Sequence, residues 1–220
     1  MSLSTRVSIA WPPDIPPAED TNTLVLSFPR NHFIDLRPVK SFRSLDWGMA
    51  GYQSTIQTAG GDKSIYLADD SNAATFIHII DSRVPEDPLS VQDEGLFNKL
   101  PNGDDLETGT MMNPNTGQMM AYEEIWRTIP VTGKGFVLLE STSAKNKTFI
   151  GQIGNYFQGI GLIAGKLNAK RCEFKNGNWE TVFSIGDENT LPVNKAQDTW
   201  KEGDEIEFEG RLWKVHDFAS

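Results

Sequence analysis

The stretch GQIGNYFQGIGLIAGK, residues 151–166, decides how the chain is read. It holds five glycines, ends in lysine and is otherwise largely apolar. A phosphate-cradling loop would make the protein a nucleotide enzyme. A glycine-punctuated strand would make it a β protein. A Walker-type loop needs glycine, four residues, then glycine, lysine and a hydroxyl residue. Here Gly165-Lys166 is followed by Leu167, and Ile160 stands where the first glycine belongs. A dinucleotide loop needs G-x-G-x-x-G between a strand and a helix. Gly159-Ile160-Gly161 is followed by Ala164, Gly165 falls one place late, and LNAKRCEF reads as a strand. The phosphate reading fails. Glycines within a strand region permit bulges, sharp coiling and close approach of a second backbone. The apolar positions Ile150, Ile153, Phe157, Ile160, Leu162 and Ile163 keep no single alternation, which predicts a bulge or turn inside the run.

Working outward, strand patterns dominate. TLVLSF (23–28), HFIDLRPV (32–39), SIYLA (64–68) and ATFIHII (74–80) are β-branched and aromatic, with turn signals between them. GFVLLES, AKRCEF, NWETVFSI, DEIEFEG and RLWKVHDF behave alike in the second half, and Asn176-Gly177 marks a tight hairpin. Helix signals are sparse: PVNKAQDTW (192–200) offers one or two turns. WPPDIPPAED (11–20) is Pro-rich and acidic, so residues 1–20 read as an irregular arm.

The two halves echo each other. GDDLE (103–107) precedes EEIWRTI (123–129), and GDEIE (203–207) precedes GRLWKVH (210–216). Each pair predicts an acidic hairpin ending in Trp plus a base, Trp126-Arg127 and Trp213-Lys214. Gly48 and Gly51 share the spacing of Gly151 and Gly154. This pattern predicts an all-β chain of two related barrel domains, residues 21–130 and 131–220.

Composition narrows function. The 220 residues carry a net charge of −10, which disfavours nucleic acid and anionic lipid. No apolar run reaches the ~20 residues of a membrane span, and no signal core precedes the first strands. Cys172 is the one cysteine, read as a small buried strand residue. His32, His78 and His216 lie on different strands without metal spacing, so no metal or cofactor is expected. His78, among apolar neighbours in FIHII, is the best-placed axial ligand if a barrel held haem. Adjacent carboxylates such as Asp104-Asp105 and Glu123-Glu124 point to opposite strand faces, so neither pair is a catalytic dyad. Met111, Met112, Met119 and Met120 are candidates for an adaptable partner loop, or for a loop that folds over its own barrel end. Trp47, Tyr52, His78, Tyr156, Phe157 and Trp179 are candidates to line or fill a barrel interior.

The order and spacing of HFIDLRP (32–38), LDWGMAG (45–51), ETG (107–109), EEIWRTIPV (123–131), GQIGNYFQG (151–159) and WKEGDEIEFEGRLWKVHDF (200–218) resemble the fungal Hri-type family, named for interaction with a casein kinase I-type enzyme. The resemblance implies two consecutive lipocalin-like barrels in a cytosolic and nuclear protein without established enzymatic activity. It also implies contact with a casein kinase I-type kinase and with the ER translocation machinery. The resulting expectation is a non-enzymatic adaptor. Ser71, Thr108 and Thr110, each shortly after acidic residues, suit an acidophilic kinase. The alternative is a carrier that holds a small apolar ligand or haem.

Overall fold

A computed structural model describes residues 1–13, 15–41, 43–54, 72–143, 146–193 and 199–219. The expected strand at 64–68, Ser71 and most of the expected helical turns at 192–200 lie outside these residues.

The quoted stretch is strand, and its broken alternation is explained by two tight turns. β11 (Asn146–Ile153), β12 (Tyr156–Ile163) and β13 (Lys166–Lys175) form a meander through it. Gly154 opens the first turn at φ 53°, where an added Cβ would lie 2.0 Å from the Thr132 carbonyl oxygen. Ala164-Gly165 makes the second. β14 (Asn178–Ile185) follows the predicted Asn176-Gly177 turn, whose φ values of 52° and 83° are those of a type I′ hairpin. β10 (Phe136–Ser143), β15 (Glu205–Phe208) and β16 (Arg211–Ala219) complete a seven-stranded antiparallel sheet, ordered β14-β13-β12-β11-β10-β16-β15.

The first half is a closed barrel. β1 (Ser2–Trp11), β3 (Leu24–Ser27), β4 (His32–Pro38), β5 (Leu45–Ser54), β6 (Ala73–Asp81), β7 (Glu94–Lys99), β8 (Asp105–Met112) and β9 (Met119–Ile129) run antiparallel in that order, and β1 pairs with β9 to close the ring. β2 (Ile15–Ala18) adds to the far end of β1. The N-terminal stretch is therefore not an irregular arm. Residues 2–11 precede the prolines and keep free N–H groups, so they can pair with both β3 and β9. The expected second barrel, in contrast to the first, is not closed: β14 and β15 stand as sheet edges, with no pairing between them among the described residues. Both predicted Trp-base hairpins form, with Asp105 opposite Trp126 and Ile206 opposite Trp213.

The halves are not independent. The largest hydrophobic cluster joins Leu3, Leu26, Ile34, Leu36, Ala50 and Ile80 from the barrel's outside to Leu138, Phe149, Ile153, Ile160 and Ala169 of the open sheet. The sheet's other face buries Val137, Leu139, Ile150, Phe157, Cys172 and Trp213 beneath Leu191 and Trp200. Neighbours such as Val137, Leu138 and Leu139 thus all lose water, which accounts for continuous apolar runs in these strands. The buried Cys172 fits its expected role. Gly151 of the quoted stretch and Gly48 of β5 serve this contact: a Cβ on Gly151 would meet Phe28 at 2.6 Å, and one on Gly48 would meet Leu45 at 2.6 Å and Ile160 at 3.0 Å.

Candidate functional site

Because the outer face of the barrel is covered by the sheet, β4 buries both of its faces. In HFIDLRP, Ile34 and Leu36 point outward into the shared core, while Phe33, Asp35 and Arg37 point inward. The same two-residue rhythm brings Ser2 and Ser4 of β1, Trp47 and Met49 of β5, and Asp105 and Glu107 of β8 to the interior. On β9 it brings Tyr122, Glu124 and Trp126. They surround a cavity of about 300 Å³. An eight-stranded barrel is just wide enough either to be filled by side chains or to hold one small ligand.

The walls are a charged network. Glu124 Oε1 accepts hydrogen bonds from Arg6 Nη1 at 2.5 Å and Arg37 Nη1 at 3.3 Å. Arg6 also donates to Glu19 at 2.6 Å, so the Pro-rich stretch supplies a member of the network. Arg37 donates through Nε to Asp35 Oδ2 at 2.9 Å and stacks between Trp47 and Trp126, 4.9 and 5.5 Å from their ring centroids. Burial works against its charge, but Asp35 and Glu124 outweigh it and push the guanidinium pKa up. For Asp35 burial wins over Arg37 and lifts the carboxyl above the usual range. Burial and the neighbouring Glu124 raise Glu107 to about 8. Glu107 receives Trp126 Nε1 at 2.7 Å on one oxygen and meets the Tyr122 hydroxyl at 2.8 Å on the other.

Behind this wall His78 bridges two carboxylates, Asp81 at 2.7 Å and Asp93 at 3.1 Å. Burial opposes its charge, yet these hydrogen bonds raise it to about 9, so at neutral pH it is an imidazolium with both nitrogens donating. Such a ring has no lone pair for a metal. Among the described residues no cluster of His, Cys, Asp and Glu has the geometry of a metal site, and no helix is long and apolar enough to cross a membrane.

Of the residues singled out from sequence, Trp47 and Met111 line the cavity. His78 is wholly buried behind it, edge-on to Trp47 and Phe33. Tyr52 is exposed on β5. Tyr156 packs into the core between barrel and sheet, while Phe157 and Trp179 pack on the sheet's far side; none of the three reaches the barrel interior. Met112 and Met119 face each other across the β8–β9 hairpin, 60% and 61% exposed, and Met120 accepts the Thr116 hydroxyl. Asp35, Arg37, Glu107 and Glu124 carry the site and were not singled out. On β4 the signal is Asp35 and Arg37 alternating with the apolar Ile34 and Leu36, whereas Glu107 and Glu124 sit beside Thr108 and Glu123 and show no such alternation.

Fold and site together define an eight-stranded antiparallel barrel with a charged, aromatic-walled cavity, packed on a second antiparallel sheet. The chain belongs to the HRI1 family: the model described as Protein HRI1 matches residues 2–217. It is similar over 100% of its length, and 99% of the other chain, to the crystal structure of the uncharacterized protein YLR301w from Saccharomyces cerevisiae, at 21% identity and a TM-score of 0.75. Comparison with curated proteins gives no match.

Proposed function

We propose that the barrel is a receptacle: a lipocalin-like carrier or sensor that holds one small molecule and performs no chemistry on it. The observation that carries this reading is the 300 Å³ cavity, left open where an eight-stranded barrel of this size can be filled by side chains. The absence of chemistry is supported by engagement of the groups that could supply it. Both nitrogens of His78 and both oxygens of Glu107 are held by neighbours. Haem is a poor fit, since a porphyrin is several times larger than the cavity and His78 offers no lone pair. The charged walls also favour a polar ligand over the apolar one expected from sequence. Native mass spectrometry of protein purified from its own organism tests this. A bound small molecule that is lost from a Ser4→Phe variant, whose ring would occupy the cavity, is the expected result. A ligand-free protein, unchanged by that substitution, refutes it.

The adaptor reading has an observation of its own, the exposed Met112–Met119 pair at a hairpin tip. If it contacts a casein kinase I-type kinase, Met112→Asp with Met119→Asp should weaken capture and leave thermal stability unchanged. Unfolding of that variant, or undiminished capture, removes the reading. Thr108 lends less support as a kinase site, since it is paired with strands on both sides, whereas the exposed Thr110 is paired with β9 alone. The two Trp-base hairpins support descent of barrel and sheet from one duplicated unit.

A further inference from the structure

One acceptor inside the barrel is satisfied by nothing in the protein. Asp35 is 3% exposed, and while its Oδ2 takes the hydrogen bond from Arg37, its Oδ1 is buried with no partner. A buried acceptor is normally paired, and the exceptions mark places where a ligand or ordered water belongs. Asp35 lines the cavity, so the missing donor has space to arrive.

The charge balance fixes the sign of that donor. With Glu107 protonated, the charged side chains that line the cavity are the carboxylates of Asp35, Asp93, Asp105 and Glu124 and the guanidinium of Arg37. Arg6, His78, Lys99 and Arg171 lie outside this lining, as do Glu19 and Asp81. An anionic ligand would add a charge of the sign already in excess and would leave Asp35 Oδ1 unpaired. Phe33, Phe76, Trp47 and Trp126 supply ring surface around the same space. Aromatic walls beside carboxylates suit an organic cation, whose charge is attracted to ring faces as well as to oxygen. At about 30 Å³ per water the cavity has room for about ten waters, hence a ligand of about ten non-hydrogen atoms.

Resting on the receptacle reading, we infer that the barrel binds a small organic cation, a protonated amine that donates to Asp35 Oδ1 and lays its body against the aromatic wall. Calorimetric titration with 2-phenylethylammonium, 2-phenylethanol and phenylacetate tests this, since the three match in shape and differ in charge. The amine should bind at least about tenfold more tightly than the alcohol, and phenylacetate most weakly. Asp35→Asn should abolish the amine's advantage: the amide oxygen can still accept from Arg37, but its N–H₂ then presents a donor where the ammonium needs an acceptor. Should that variant not fold, Ser4→Phe serves instead, leaving every charge in place and excluding all three compounds. Equal binding of amine and alcohol, or preference for phenylacetate, overturns the cation and leaves the receptacle standing. Binding of none of the three overturns the cation as well. The receptacle then stands or falls on whether protein from its own organism carries a neutral or anionic molecule.

Discussion

Replacing Arg171 with methionine should loosen the barrel from the sheet. Arg171 rises from β13 into the contact between them and is 2% exposed. It donates to the Asn22 carbonyl at 2.7 Å, the Leu36 carbonyl at 2.7 Å and Gln158 Oε1 at 2.8 Å. Gln158 of β12 then donates to the carbonyls of Leu24 and Ile34 at 3.0 and 2.9 Å. Two side chains of the sheet thus clasp the backbone of the barrel at four places. Burial lowers the guanidinium pKa to about 10, in spite of favourable Asp35 and Glu173, so the group stays charged at neutral pH. Hydrogen bonds from a charged donor contribute about 1.5–3 kcal/mol each, so three represent roughly 4–9 kcal/mol. Removing a buried cation recovers several kcal/mol of its desolvation cost. The net loss is about 2–4 kcal/mol, or roughly 4–16 °C in Tm for a chain of this size. Urea melts followed by tryptophan fluorescence would measure it. The double variant with Gln158→Leu should cost less than the two singles summed, by about 1 kcal/mol or more, because each single change strands the other partner. Arg171→Met within about 0.5 kcal/mol of the parent, or strict additivity, would refute the clasp.

Two further outcomes follow from the same geometry. Glu107 ionises near 8 in the folded state and near 4.5 when unfolded, so the folded state holds the extra proton between those values and the protein loses stability as pH rises across that window. Glu107→Gln cannot ionise, can accept from Trp126 and can donate to Tyr122; its Tm should fall less between pH 5 and 8, and parallel Tm curves would dismiss the assignment. His78, raised to about 9, adds loss in the same direction between 6.5 and 9, and this part the variant keeps. Gly151→Ala should cost about 1–3 kcal/mol through its clash with Phe28, whereas Gly159→Ala, with its nearest neighbour at 3.0 Å, should cost less; equal losses in a denaturant melt would contradict the packing role of Gly151.

Strands and turns were legible because alternation and turn chemistry are local. Asn176-Gly177 could be placed from two residues, and the Trp-base hairpins from their acidic partners. What escaped was which side of a strand faces which neighbour. Ile34 and Leu36 look like the inside of a barrel and Asp35 and Arg37 like its wet exterior, but a second sheet reverses the assignment. The alternation of HFIDLRP is the same either way, and only the packing of distant strands sets its sign. β1 escaped for a related reason: STRVSIAW carries small and polar side chains because one face lines a charged interior, and the prolines after it dominated the local reading.

Closure of the barrel by β1 has a kinetic side. Arg6 lies opposite Trp126 and Leu3 opposite Ile129, so β1 must await the synthesis of β9. At roughly 5–20 residues per second the wait is about 6–24 s on the ribosome. During it β3 can cover one edge of β1 while the other stays open to any passing strand. Arg6, held by Glu19 from one side, keeps a charge beside that open edge until Glu124 arrives from the other, and charge on an exposed edge disfavours wrong pairing.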